Sequence, residues 1–441
     1  MMDEGLLSWL FSYTTQGIKL DLENTKDLLR RLGNPHLSMK YVHVAGTDGK
    51  GSISSCIASI LISSGIKTGL YTSPHIVDFN ERITVNGENI TDSEAERLLQ
   101  MMKERVGEME AEGRIPTFFE MATVMAFLHF KNEGVEYAVM EVGMGGRLDS
   151  TNVIVPEVCV IGNISMDHME YLGDTIEKIA FEKAGIIKPG VPCVTLNKEP
   201  AFDVLKKVAD ERGAPITRID PQDVNVIKMD ENGVDFAYKE ERYRISIPGS
   251  RQADNASMAI EAVSRLRIYG HCLRCNVKKG LRDVRWPCRL EKVRGLPIIL
   301  DVTHTAAGSE AIAEDVAKLY GEVDIVLGML KEKDAQTMAE NLSRLSKRVF
   351  VAALRSERSA DPEMLGKIFE KRFPETIVCG SISNAMDLAM RSGTNNNILV
   401  TGSFHTAEEA AAWLKKTYPG CWTYSQRSTA EGHIREGRRK V

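Results

Sequence analysis

Short apolar runs rich in β-branched residues alternate along the chain with longer stretches whose apolar positions recur every three or four residues. That alternation predicts parallel strands flanked by helices. Tyr41 to Ala45 reads as a buried strand, followed by a glycine-rich turn and an apolar helix from about Ser52 to Ser63. Lys67 to Tyr71 reads as a second strand. Glu120 to Phe130 has helical spacing, with Met121, Val124, Met125 and Leu128 on one face. Tyr137 to Val142 is a strand ending in Gly143-Met144-Gly145-Gly146, and Val158 to Ile164 is another that runs into Asp167-His168. Val191 to Leu196 and a helix from Ala201 to Arg212 follow, then an alternating stretch to Ile247. Within it, Asn232-Gly233 signals a hairpin between Val224–Met229 and Val234–Tyr238. A helix is predicted from Ala253 to Tyr269.

Two prolines and a glycine interrupt the pattern between Arg285 and Pro297, and a fresh β–α series starts beyond them. Its strands are Ile298–Val302, Asp324–Leu327, Arg348–Ala352, Ile377–Cys379 and Ile398–Thr401. The expected architecture is α/β: a P-loop nucleotide-binding domain on a parallel sheet, residues 1–295, then a smaller Rossmann-like α/β domain, residues 296–441. A chain of 441 residues is long enough for two such cores.

Composition narrows the function classes. Hydrophobic residues make up 43% and charged residues 27%, the balance of a globular protein, and a formal charge of −5 offers no general attraction to nucleic acid or anionic lipid. The basic cluster Arg435, Arg438, Arg439 and Lys440 reads as a solvated tail, and Asn395–Asn397 as a loop. No apolar run approaches the roughly 20 residues of a bilayer span, and Met1-Met2-Asp3-Glu4 lacks the positive start of a secretory signal. With eight scattered cysteines, a cytoplasmic, monomeric protein acting on small molecules is expected. Cys272 and Cys275 have C-x-x-C spacing beside His271, but no second pair completes a zinc site, so they read as helix-borne thiols at i and i+3.

The candidate chemistry centres on Gly46-Thr47-Asp48-Gly49-Lys50-Gly51-Ser52, between a predicted strand and a predicted helix. Glycines there let backbone amides converge on phosphate oxygens, and the helix N-terminus adds positive potential. Lys50 would neutralise the β and γ phosphates of ATP, and Ser52 would offer its hydroxyl to Mg²⁺. The general Walker pattern fails twice, however. Val44 stands at its first glycine, and Gly51 separates Lys50 from Ser52.

That irregular form resembles the G-T-x-G-K-G-S signature of the folylpolyglutamate and dihydrofolate synthases within the Mur ligase family. Further motifs follow in order. Leu22 to Pro35 is similar to the family's lead-in helix, and Ser73-Pro74 with Phe79-Asn80-Glu81-Arg82-Ile83 to its S-P-x…F-x-E-R-I loop. Phe119-Glu120 to Thr123 resembles F-E-x-x-T, and Glu141 to Asn152 resembles E-V-G-L-G-G-R-x-D-A-T-N. Asp167-His168, Leu172-Gly173 and Glu182-Lys183-Ala184-Gly185-Ile186-Ile187-Lys188 complete the run.

The resemblance implies an ATP-dependent ligase that joins a folate-type pterin acid to glutamate through an acyl-phosphate. It also implies roles. Gly46 to Ser52 would hold the nucleotide, Asn255 would face it, and Arg289 would reach ATP. Ser52, Ser73, Glu141 and His168 would be metal ligands, His168 being one that the hardness of Mg²⁺ would not have selected. Lys183 matches the lysine that the family carbamylates with CO₂, which would bind a second Mg²⁺; by charge pattern alone it is a helix lysine paired with Glu182 or Glu177.

In the second half the likeness thins. Asp301-Val302-Thr303-His304-Thr305-Ala306 stands where the family has D-G-A-H-N-P, keeping Asp301 and His304 as catalytic candidates. Arg251 replaces a histidine, Cys288 a glycine, and Glu332 an aspartate of G-x-x-x-D-K-D, while Gly402-Ser403-Phe404-His405 resembles G-S-L-Y. Three rivals remain at this stage: the same chemistry on another acid or amino acid, a P-loop ATPase serving as a motor or switch, and a degenerate ligase kept for binding.

Overall fold

The computed structural model describes residues 4–17, 19, 21–393 and 396–422. Met1 to Asp3, Asn395 and the basic tail from Arg435 to Lys440 lie outside these residues. The described residues form two compact units. The first takes the chain through Val224 together with Asp254–Val284, and the second takes Asn225–Ala253 and the chain from Arg285 onward.

The first unit is built on β1 (Lys40–Ala45), β2 (Thr68–Tyr71), β3 (Ile83–Val85), β4 (Glu88–Asn89), β5 (Tyr137–Glu141), β6 (Val158–Ile161), β7 (Cys193–Thr195) and β8 (Ile216–Arg218). Their order across the sheet is β4-β3-β2-β5-β1-β6-β7-β8. All neighbours run parallel except at the β3–β4 edge, which is antiparallel to β2. β1 is central and Tyr41 to Ala45 are all buried, the pattern of a strand covered on both faces, apolar but for His43.

One core gathers Tyr71, Met121, Phe127 and Phe130 with helix residues Leu28, Leu98 and Met102. Burying side chains of this size contributes roughly 1.5–3 kcal/mol each. A second core joins Cys159, Ile161 and Cys193 to Ile179, Ala184 and Leu205 from the helices Ile176–Ala184 and Ala201–Glu211. The helix that follows β1, Lys50–Ser63, is buried along nearly its whole length and packs on the helix His271–Asp283.

The second unit holds a three-stranded antiparallel sheet, β9 (Val224–Asp230), β10 (Gly233–Tyr238) and β11 (Glu241–Ile245), whose first residue Val224 falls on the first unit's side of the division. Its main sheet contains β12 (Glu291–Lys292), β13 (Ile298–Leu300), β14 (Val323–Leu327), β15 (Arg348–Ala352), β16 (Glu375–Cys379) and β17 (Asn397–Thr401). The order is β12-β13-β17-β14-β15-β16, parallel except for the short edge strand β12. Ile299, Ile325, Leu327, Val351 and Leu399 fill its centre.

The α/β architecture is the expected one. Differences are local. The helix predicted to Tyr269 runs from Arg251 to Ser264, and a new helix starts after Gly270, whose extended backbone ends the intervening turn. The predicted strand to Ile164 ends at Ile161, where the chain leaves the sheet to meet the glycine turn. Among the described residues no helix is long and apolar enough to cross a membrane.

Candidate active site

β1 ends at Ala45 beside the carboxyl ends of both its neighbours, with Val44 opposite Glu141 of β5 and Ala45 opposite Ile161 of β6. β2 lies beyond β5, and β7 and β8 beyond β6, so this edge is the sheet's switch point, where open α/β sheets bind ligands. The chain then turns through Gly46 to Gly49 and enters the helix at Lys50. Gly49 caps that helix at φ +83°, and a Cβ there would lie 2.6 Å from Asn255 Oδ1. Only glycine satisfies both conditions.

Hydrogen bonds tie the turn to the segment after β6. The Thr47 amide donates to the Asn163 carbonyl at 2.7 Å, and its hydroxyl donates to the Ser165 carbonyl at 3.1 Å. Ser165 Oγ donates to the Asp48 carboxylate at 3.2 Å. Lys50 Nζ folds back onto the Thr47 carbonyl at 3.1 Å, placing its charge over the turn. Ser52 Oγ is buried and has no hydrogen-bond partner. A buried hydroxyl left so costs about 1–3 kcal/mol, which fits an atom that completes its shell with a ligand.

Lys183 reaches the same turn from the helix Ile176–Ala184, its Nζ donating to the Gly46 carbonyl at 2.8 Å. The side chain is 3% exposed. Burial first, and the neighbouring Lys50 charge second, push its pKa down to about 7 against the pull of Asp167, Asp48 and Asp149. Of the two pairings its charge pattern alone allowed, that with Glu182 is not made, since Glu182 meets Arg147 at 2.9 Å.

Glu141 is buried at the end of β5, and its Oε2 accepts the Ser73 amide at 3.2 Å, so these two predicted metal ligands are neighbours. With Ser52, they offer hard oxygens suited to Mg²⁺. His168 stands apart in kind. It has a left-handed backbone, its side chain is 40% exposed, and Nε2 lies 3.6 Å from Asp167. Among the described residues no three His, Cys, Asp or Glu side chains converge on a metal position.

The loop after Ser73 is held from inside by Glu81, whose carboxylate accepts the amides of Ile76, Val77 and Asp78 at 2.6, 3.0 and 2.8 Å. Burial raises its pKa to about 7 against those bonds. Arg82 Nε donates to His75 Nδ1 at 2.8 Å, and its guanidinium sits 5.2 Å from the Phe118 ring centre. Another group escaped the sequence reading. His43, one strand residue before Val44, lies fully buried with Nε2 2.8 Å from Thr151 Oγ1, which donates to Asp149 at 2.5 Å. Asp149 also accepts the Met144 amide at 3.0 Å. Burial drives the His43 pKa down to about 3, so it stands neutral behind the Gly143–Asn152 turn. A histidine inside an otherwise apolar strand was the available signal.

In the second unit, Asp301 follows β13 and is buried. It accepts the Leu290 amide at 3.0 Å and the Thr303 amide at 2.8 Å. His304 Nδ1 is 3.0 Å from the Val302 carbonyl, and its ring lies 5.6 Å from Phe404. The Arg289 guanidinium lies 5.6 Å from the same Phe404 ring, so one aromatic side chain supports both candidates. Asp334 caps the helix Ala335–Leu342 through the Thr337 amide and hydroxyl. Glu332 pairs with Arg358. A hollow of about 550 Å³ among Tyr171, Phe181, Val204 and Val208 reaches Glu182 but includes none of Gly46 to Ser52.

The Mur ligase middle domain matches residues 44–263, and the Mur ligase glutamate ligase domain matches residues 288–404. The dihydrofolate synthase/folylpolyglutamate synthase of Bacillus subtilis is 35% identical over 430 residues, covering 92% of this chain and 98% of its own. E. coli FolC in complex with DHPP and ADP superposes with a TM-score of 0.81 at 28% identity, covering 93% of this chain and 98% of its own. A bifunctional folylpolyglutamate synthase/dihydrofolate synthase with Mn, AMPPNP and L-glutamate bound gives 0.80 at 27% identity, with the same coverage.

Proposed function

Since this chain belongs to the folylpolyglutamate synthase/dihydrofolate synthase family of Mur ligases, we propose that it joins L-glutamate to a folate-type pterin acid, dihydropteroate or a folyl-glutamate, in a reaction driven by ATP. A carboxylate is a poor electrophile. Transfer of the γ-phosphoryl group to it releases ADP and leaves an acyl-phosphate; the glutamate amine then attacks the carbonyl carbon and expels phosphate. Negative charge spreads over the phosphoryl oxygens during transfer, so the site must present fixed positive charge and N–H dipoles to them.

In this reading the turn from Gly46 to Ser52 grips the triphosphate, and Lys50 leaves the Thr47 carbonyl to reach its β and γ oxygens. Ser52, Ser73 and Glu141 would hold Mg²⁺ through their oxygens, and His168 is the further ligand that the family resemblance supplies. Bound there, Mg²⁺ would neutralise phosphate charge. The lowered pKa of Lys183 raises the share of neutral amine near neutral pH, the form that would add to CO₂ and lose a proton to give a carbamate whose oxygens would serve a second cation. Asn255 borders the nucleotide turn at Gly49. Asp301 acts on its own loop, fixing the backbone that carries His304, while Arg289 supplies a cation toward ATP.

The observation that carries this reading is the buried Ser52 hydroxyl, without a partner among the described residues, in the first turn of the helix that follows the glycine turn, after a strand whose Val44 stands opposite Glu141. The test is ADP release by the purified protein with Mg²⁺–ATP, L-glutamate and either dihydropteroate or a folate, with the ligated product identified by mass. ADP formation that needs both acid and amino acid is the expected result. Turnover of ATP alone, or none with any folate-type acid plus glutamate, would remove the reading.

A further inference from the structure

The ligase chemistry makes no use of Cys272, Cys275 and His271. We propose that they form a redox-active dithiol that exchanges with small disulfides and closes to a Cys272–Cys275 bond. All eight cysteines are free; five are buried and Cys421 is half-buried, whereas Cys272 and Cys275 are exposed. The two sit one turn apart at the start of the 13-residue helix His271–Asp283. At that spacing helix geometry separates their Cα atoms by about 5 Å, inside the window of roughly 4.4–6.8 Å that a disulfide spans.

The second observation is the imidazole. His271 Nε2 lies 3.5 Å from Cys275 Sγ, on the same helix face one turn earlier, so a proton acceptor is already beside one thiol. Cys272 Sγ points instead to the Ser64 carbonyl, 3.7 Å away, at the end of the helix that begins with Lys50. The two thiols therefore have different neighbours: Cys275 has the His271 base, and Cys272 has the Ser64 carbonyl and the Asn276 side-chain amide, which donates to its sulfur at 3.7 Å. That division assigns Cys275 as the attacking sulfur and Cys272 as the resolving one.

His271 takes the Cys275 thiol proton, and the thiolate attacks one sulfur of a small disulfide such as oxidised glutathione. The old S–S bond breaks and one glutathione thiolate leaves. Cys272, losing its proton to solvent, then attacks Cys275 in the mixed disulfide and expels the second thiolate. Two protein thiols lose two electrons and two protons, and one disulfide becomes two thiols.

The test uses the whole protein in glutathione buffers of graded redox ratio, with acid quenching, alkylation and peptide mass mapping. A Cys272–Cys275 disulfide should form while the five buried cysteines stay alkylatable only after unfolding. Cys275→Ser should prevent glutathione release beyond a single slow adduct at Cys272. His271→Asn should give the same bond roughly tenfold or more slowly, as loss of a base predicts. All three side chains are exposed, and an unchanged circular dichroism spectrum would establish that the variants fold. Two reduced thiols at a ratio that oxidises an exposed dithiol peptide, or an adduct at Cys275 that never resolves, would overturn the proposal. So would an oxidation rate indifferent to His271.

Discussion

At the scale of single residues, some buried groups in the first unit find no hydrogen-bond partner among the described residues. Ser52 is the clearest case, since its hydroxyl is desolvated without a hydrogen bond. Ser52→Ala is therefore expected to leave the nucleotide-free protein as stable or stabilised by up to about 1–3 kcal/mol, while Mg²⁺-dependent nucleotide binding weakens. Urea denaturation beside calorimetric titration of AMPPNP with and without Mg²⁺ separates the two effects, and a variant that loses stability but keeps Mg²⁺-dependent binding would place the hydroxyl in the core instead. Lys183 gives a second, pH-resolved expectation. It releases its proton near pH 7 when folded and near the ordinary value of about 10.4 when unfolded. Between these values the unfolded chain holds the extra proton, so stability contributed through this residue rises with pH, and its cost is greatest below about 7. Lys183→Met should gain most over the wild type at the low end and lose that gain towards the high end. A difference in urea midpoint that does not vary with pH would mean the buried amine is not held neutral.

At the scale of elements, tight contact between two helices anchors the helix that follows the glycine turn. A Cβ on Gly280 would lie 2.5 Å from Ile60 Cα, and Ser59 Oγ donates to the Gly280 carbonyl at 2.7 Å. Backbone cannot yield as a side-chain tip can, so Gly280→Ala should push the helix His271–Asp283 off the helix Lys50–Ser63. The expected loss is about 1–3 kcal/mol, read as a lowered thermal midpoint; an unchanged midpoint would show that the helices slide freely. Two hairpins show how turn chemistry decides what can be read in advance. The β3–β4 turn uses Asn86-Gly87, both at positive φ, a recognisable signal that a three-residue strand made easy to pass over. The β10–β11 turn puts Lys239 and Glu240 at φ +48° and +64°. Neither residue announces that conformation, so the third strand merged into one alternating stretch.

At the scale of the whole molecule, 441 residues distributed over two units are not expected to unfold in a single two-state step. Nucleotide should act through the unit that holds the glycine turn. AMPPNP with Mg²⁺ at about 100 times its Kd should stabilise that unit by roughly 2.7 kcal/mol, and Lys50→Ala should abolish the shift without altering the nucleotide-free transition. A shift that survives Lys50→Ala would place the nucleotide elsewhere. The second unit carries the departures from the family pattern, with Thr303 and Thr305 on either side of His304. The Thr305 hydroxyl accepts the Gly308 amide at 3.0 Å, capping the helix Ala306–Tyr320, so this segment remains an ordered strand-to-helix turn despite its changed letters.

Local chemistry was enough to write down the strand–turn–helix at Gly46 and the two α/β halves, because glycine spacing, helix starts and apolar periods act over a few residues; the ATP-dependent ligation came from the resemblance carried by several motifs in order. Distance in sequence is what hid the rest. Nothing near Lys183 in the chain places its amine on the Gly46 carbonyl, 137 residues away, and nothing near Glu141 brings it to the Ser73 amide. Those partners, the lowered pKa of Lys183, the hydrogen bonds linking His43, Thr151 and Asp149 and the contact of Gly280 with Ile60 follow from how strands and helices order themselves around the sheet. Burial and long-range pairing set the charge of each group, and both exist only once the chain has closed on itself.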